Sequence, residues 1–185
     1  DNIEVIAEAL QESLDRKPDY IVMSGGLGPT YDDVTLEGIA KALKKEMEVD
    51  PVALKMIEQR YILAQKAGIL KIKDVKQSMK KMAKLPVGSE PLQNPVGAAQ
   101  GIMIKQGDTT IFSVPGVPVE MKAIMTHSIV PRIRTVLGNV FHAEKTLLVN
   151  GIAEARLGPV LVDAMSKVGN TWIKSCVLGH GRSEI

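Results

Sequence analysis

Tyr20-Ile21-Val22-Met23-Ser24-Gly25-Gly26-Leu27-Gly28-Pro29-Thr30-Tyr31-Asp32-Asp33 is a short apolar run that breaks into glycines. A continuous apolar run bounded by turn residues predicts a strand buried on both faces, as in parallel sheets. It is expected to be an internal strand of a parallel-rich sheet. Upstream, Ile3, Ile6, Ala7, Leu10 and Leu14 recur at helical spacing, so residues 2–16 read as an amphipathic helix closed by Pro18. Downstream, Leu36, Ile39, Ala40, Leu43 and Met47 mark a second helix. Helix, strand, glycine loop and helix in this order belong to an α/β layered fold.

Further along, residues 51–84 read as helical in two or three pieces, with Pro51 in a first turn and Gly68 as a stop. Residues 85–100, rich in Pro, Gly and Asn, read as an ordered loop. Ile102-Met103-Ile104 and Thr110-Ile111-Phe112-Ser113-Val114 flank a turn at Gln106-Gly107-Asp108 and predict a hairpin. Pro118 opens a helix to about Leu137, with a kink expected at Pro131. From Phe141 the pattern becomes strand 145–150, helix 153–168 and strand 171–178. The expected division is a main domain over 1–139 and a partial small α+β domain over 140–185, too small to bury a core alone. A helix comes before any strand and the chain ends within strand-like sequence, a pattern expected of a fragment.

The composition excludes several classes. Of the 185 residues, 45% are apolar and 24% charged, with a net charge of +2, which is ordinary for a globular protein and points to neither nucleic acid nor membrane. Only Phe112, Phe141, Tyr20, Tyr31, Tyr61 and Trp172 are aromatic, and no aromatic–basic interleaving suited to single strands occurs. No apolar run approaches the roughly 20 residues of a membrane span. One cysteine, Cys176, permits no internal disulfide and suits a reducing, cytoplasmic compartment.

Three loops carry the candidate chemistry. In the first, Gly25, Gly26 and Gly28 stand between a strand and a helix N-terminus, where free N–H groups and a partial positive charge favour a phosphate. A P-loop ending is missing, and Tyr31 occupies the last glycine position of a dinucleotide fingerprint. The alternative is a tight turn with no ligand. Asp32 and Asp33 beside an anion site suit a divalent cation shared with ligand phosphates. Alternatively, both acids simply stabilise the helix start. In the second loop, Asn94 before Pro95 offers an amide to a ring edge or a ribose, or caps a turn. The third loop, Val114-Pro115-Gly116-Val117-Pro118-Val119-Glu120, would share a sheet edge with the first if their strands are parallel. Glu120 suits the helix dipole or catalysis. Lys71, Lys73, Lys76, Lys80, Lys81 and Lys84 form a basic run, read as a solvated face or as a neutraliser of ligand phosphates. His127, His142 and His180 lie outside the three loops.

Ser24-Gly-Gly-Leu-Gly-Pro-Thr-Tyr-Asp-Asp-Val-Thr35, Asn94-Pro-Val-Gly-Ala-Ala-Gln-Gly101 and Val114-Pro-Gly-Val-Pro-Val-Glu-Met121 together resemble the amino-terminal domain of the CinA family, within the molybdopterin-binding superfamily. Gly151-Ile152-Ala153-Glu154-Ala155-Arg156-Leu157 and Trp172-Ile173-Lys174-Ser175 resemble that family's small second domain. The resemblance implies a three-layer α/β/α domain with a ligand pocket over the sheet edge. It implies that Gly25, Gly26, Gly28 and Thr30 hold phosphate, that Asp33 is the acidic position tied to metal and phosphoryl chemistry, and that Pro115 and Gly116 form a second wall. Asn94 and Gly97 complete the candidate ligand contacts, with Asp32 as the second candidate catalytic acid. It further implies metal-dependent hydrolysis of a nucleotide pyrophosphate such as ADP-ribose, with Mg²⁺ or Co²⁺, or else molybdopterin binding or adenylylation. A non-catalytic paralogue is a third reading, and a homodimer or homotrimer is expected. The family's Gly-Asp-Glu-Leu-type opening strand and Asp-Thr-Asn segment are absent from this sequence. Gln100 stands where Pro is usual, which is expected to loosen the second loop, and Cys176 where His is frequent.

Overall fold

The computed structural model describes residues 2–68, 75–138, 144–169, 172–179 and 182–184. The chain divides into two compact units, Asp1–Gly138 and Asn139–Ile185. Lys71, Lys73, Phe141, His142 and His180 lie outside the described residues.

The first unit opens with α1 (Ile3–Asp15), β1 (Tyr20–Ser24) and α2 (Thr35–Leu43). Asn2 caps α1 by accepting from the N–H groups of Glu4 and Val5 at 2.9 and 3.2 Å. There follow β2 (Met47–Val49), α3 (Pro51–Lys66), α4 (Lys76–Met82), β3 (Lys84–Pro86) and β4 (Glu90–Leu92). The unit closes with β5 (Gly101–Gln106), β6 (Thr109–Val114), α5 (Pro118–Ile124), a π-helical turn at Met125–Ile129 and α6 (Val130–Leu137). The kink expected at Pro131 is this π turn. Proline lacks the N–H of a regular helical bond, so the ladder changes register ahead of it.

The main sheet runs β1-β6-β5-β4. Only β1 and β6 are parallel, and the β6–β5 and β5–β4 pairs are antiparallel. The expected parallel-rich sheet is thus a mixed one, because a tight hairpin joins β5 to β6. The expectation that residues 20–24 are internal is also corrected. β1 forms one edge of this sheet and Val22 is 49% exposed. The apolar run correctly marks two apolar faces, but pairing of the edge is a backbone matter that side-chain pattern does not encode.

Alternation along the strands produces three layers. Ile21, Met23, Ile102, Ile104 and Ile111 face a cluster with Ala7 and Leu10 of α1, Leu36, Ile39 and Leu43 of α2, and Ala53 and Ile57 of α3. Tyr20, Met103, Phe112 and Val114 face the opposite cluster with Ile124, Ile129 and Ile133. The sheet therefore lies between two helical layers, the α/β/α arrangement expected. Three strands were missed: β2 and β3 pair antiparallel, and β4 pairs with β5, within segments read as helix and loop. At three residues each they are too short for alternation to register.

The second unit contains β7 (Leu148–Asn150), α7 (Glu154–Lys167), β8 (Cys176–Gly179) and β9 (Arg182–Glu184). Its sheet runs β7-β9-β8, all antiparallel, so a third strand separates the two expected from sequence.

Candidate functional site

Sheet direction brings the three loops together. Because β1 and β6 are parallel, with Ser24 opposite Val114, their following loops leave from the same end. β4 ends where antiparallel β5 begins, with Leu92 opposite Gly101, so the 93–100 loop lies at that end too. Gly25 N–H extends the ladder by donating to the Val114 carbonyl at 2.9 Å.

The first loop is anchored by Leu27, a core side chain only 4% exposed. Gly26 has φ of 69°, and a Cβ there would lie 2.1 Å from the Thr35 hydroxyl oxygen. A Cβ on Gly28 would lie 2.6 Å from Oδ2 of Asp33. Glycine at both positions lets the backbone close over the start of α2. Gly26, Gly28, Asp33, Pro115, Gly116 and Glu120 line one cleft of about 400 Å³, with Tyr61 and Ala98 at its side.

Asp33 is held by its own loop. Its Oδ2 accepts from the Thr30 N–H at 2.9 Å and from the Thr30 hydroxyl at 2.6 Å. The same hydroxyl lies 2.5 Å from Oδ1 of Asp32, and its single hydrogen serves one carboxylate at a time. Lys81 of α4 reaches into the loop and donates to the carbonyls of Gly28 at 3.4 Å, Asp33 at 2.7 Å, and Thr30. Burial alone would raise the Asp33 pKa. The Thr30 hydroxyl, the N–H groups of Thr30 and Gly28, and the Lys81 charge outweigh it and hold the carboxyl below its ordinary value. Burial pushes the Tyr61 hydroxyl above the ordinary phenol value, so it stays a neutral donor.

Not every expected residue reaches the cleft. Asp32 and Thr30 are exposed and outside its lining, so Asp33 is the member of the acidic pair that faces it. Gly25 stands behind, its Cα 3.2 Å from where a Gly116 Cβ would be. The direct role expected of Asn94 is corrected. Asn94 is fully buried, with Nδ2 donating to Ala99 O at 2.8 Å and to Glu120 Oε2 at 2.7 Å. Its Oδ1 accepts from the N–H groups of Val96 and Gly97 at 3.0 and 2.8 Å. No amide capacity is left for a ligand. Asn94 instead holds the Glu120 carboxylate against Gly97, where a Cβ would lie 2.2 Å from it. The expectation that Gln100 loosens this loop is corrected too. Gln100 is buried, accepts from Asn94 N–H at 2.8 Å and donates to Ala98 O at 2.9 Å, so it ties the loop.

Two contributors escaped the sequence reading. Lys81 stood out only as one of a basic run. Arg60 carried no signal, yet it bonds the carbonyls of Val96 and Gly97.

Residues 1–135 match the family described as probable molybdopterin binding domain. The chain belongs to that family. A protein of Pyrococcus abyssi is 41% identical over 182 residues, covering 98% of this chain and 70% of the relative. A Pyrococcus furiosus protein is 40% identical over the same shares. Among solved structures, the protein CinA of Thermoplasma acidophilum, described as of unknown function, is 37% identical with a TM-score of 0.57, covering 68% of each chain. This molybdopterin-binding-type domain is therefore CinA-like, as its three loop motifs imply. Among the described residues no helix is long and apolar enough to cross a membrane.

Proposed function

We propose that this domain binds a phosphorylated nucleotide or pterin in the cleft between the first and third loops, and hydrolyses a nucleotide pyrophosphate such as ADP-ribose with a divalent cation. One observation carries the reading. The Gly26–Gly28 backbone, the ionised Asp33 carboxylate and the Pro115–Gly116 turn line one cleft at the ends of two parallel strands. Backbone approach without side chains and a nearby helix start suit phosphate.

The donor set fits Mg²⁺ or Co²⁺ shared with ligand phosphates. Asp33 and Glu120 are, among the described residues, the carboxylates lining the cleft. Among the described residues no group of three or more His, Cys, Asp or Glu could hold a metal, so phosphate oxygens would complete the shell. Bound there, the ion would polarise a phosphoryl oxygen and supply an activated water. The chain's own part is geometric. Lys81 and Thr30 hold Asp33 at the cleft, Asn94 orients Glu120, and the Gly116 turn forms the opposite wall.

The test is incubation with ADP-ribose and Mg²⁺ or Co²⁺ while AMP and ribose phosphate are followed. Metal-dependent release that Asp33→Asn lowers supports hydrolysis. Binding without release would favour a non-catalytic paralogue. Molybdopterin binding or adenylylation is the second reading, favoured by the family's description, and with ATP supplied, transfer of its AMP to the pterin with release of pyrophosphate would select it. Self-association as a dimer or trimer and a cytoplasmic location complete the proposal.

A further inference from the structure

A second cleft of about 500 Å³ lies between the C-terminal half of α3 and the 96–98 segment. It shares Tyr61 and Ala98 with the phosphate-facing cleft, so the two are neighbours with a common wall. Its character is different. Leu63, Ala64, Ala67 and Val96 supply apolar walls, and among the described residues no carboxylate lines it. Ala64 and Ala67 follow Arg60 at four and seven positions, on one face of the helix, and their small side chains leave the space open. Arg60 is the one ionised residue among the described residues of the lining. Its Nε donates to Gly97 O at 3.2 Å and a terminal nitrogen donates to Val96 O, so the guanidinium bridges helix and loop and sets the cleft's width.

We propose that this cleft takes the uncharged nucleobase of the ligand whose phosphates occupy the neighbouring cleft. The inference rests on the phosphate-binding reading above and names the ligand class as a nucleotide spanning both clefts. Each volume lies within the range of small-molecule sites, and apolar walls with a few fixed polar groups are their usual lining. A ring without charge loses little hydration there, whereas a second phosphate would meet apolar walls and a guanidinium already bonded to two carbonyls. A Tyr ring and an Arg guanidinium both offer faces on which a base can stack. Tyr61, at the junction, is placed to meet the ring or the ribose joining it to the phosphates.

The competing platform is Tyr31, at the tip of the first loop and 93% exposed. The experiment therefore uses calorimetry of the full chain with ADP and with inorganic pyrophosphate, both with Mg²⁺. These probes share the pyrophosphate and differ by the nucleoside. The unmodified protein should bind ADP at least about tenfold more tightly than pyrophosphate, as expected for a well-stacked base. Ala64→Trp, and independently Ala67→Trp one turn on, should fill the cleft and bring ADP down to the affinity of pyrophosphate. Pyrophosphate binding should stay within about twofold in both, and Tyr31→Ala should change neither ligand, with folding checked by circular dichroism. The proposal is overturned if both tryptophan variants keep the ADP preference, if Tyr31→Ala abolishes it, or if ADP shows no advantage at the start. Failure of the phosphate reading looks different: pyrophosphate would not bind, while ADP would still bind and be weakened by Ala64→Trp.

Discussion

Replacing Lys81 by Met removes one ammonium and with it three donations, to the carbonyls of Gly28, Thr30 and Asp33. Methionine keeps most of the length and the apolar stem, so the change isolates the charge. Hydrogen bonds to charged groups contribute about 1.5–3 kcal/mol each where water is excluded. Here Lys81 is only half-buried and Thr30 is exposed, so water replaces much of what is lost. The 3.4 Å contact to Gly28 is also long. A net cost of about 2 kcal/mol follows, or about 4–8 °C in Tm for a chain of this size. The larger effect should fall on the site. Without the clamp the loop relaxes, and the Asp33 carboxyl loses a charge that helps lower its pKa. Asp33 has a depressed folded-state pKa, so its favourable interactions are complete above the unfolded value near about 3.9 and vanish as pH falls through the folded value. In Lys81→Met the folded value lies closer to the unfolded one, so that loss should be smaller and complete at higher pH. Thermal melts and pyrophosphate titrations from neutral pH to about pH 3 measure both effects. Lys81→Arg should rescue poorly, because a planar fork does not match three carbonyls around a point charge. A Lys81→Met protein with an unchanged melt, an unchanged affinity and an unshifted acid limb would refute the clamp.

Three further outcomes are expected. Asp33→Asn should cost less than about 1 kcal/mol, since Asn still accepts the Thr30 N–H, yet lower metal-dependent turnover at least about tenfold. Asp32→Asn, outside the cleft, should leave turnover within about twofold, and the reverse ranking would show that the wrong neighbour was chosen. Asn94→Ala removes four hydrogen bonds from a fully buried position and should destabilise by about 2–4 kcal/mol on denaturant titration. A loss below about 1 kcal/mol would mean that water replaces the amide. Light scattering at high protein concentration should show a dimer or trimer, and a strict monomer there would dismiss self-association.

Much of this architecture was legible in the residues because its signals are local. Glycine and proline punctuation marks the three loops, since a backbone turn is a property of a few consecutive residues. Helical spacing in α1 and α2 reports which face each buries, and the apolar alternation of β5 and β6 reports a hairpin with two covered faces. The same locality explains the acidic pair. Two adjacent carboxylates are obvious in a sequence, but their side chains diverge, and only the folded loop shows that Asp33 faces the cleft while Asp32 faces solvent.

What only the tertiary structure decided depends on residues far apart in the chain. Lys81 meets carbonyls roughly fifty positions upstream, and Arg60 meets carbonyls thirty-six and thirty-seven positions downstream. Neither contact leaves a mark on neighbouring sequence, because an exposed cation on a helix reads the same whether it ends in water or on a carbonyl. Asn94 shows the converse: a polar residue before proline reads as available, and its bonds to Val96, Gly97, Ala99 and Glu120 consume its amide. The edge position of β1 belongs to the same class. Side-chain pattern records the faces of a strand, whereas strand order is set by backbone pairing, which every residue except proline can supply alike.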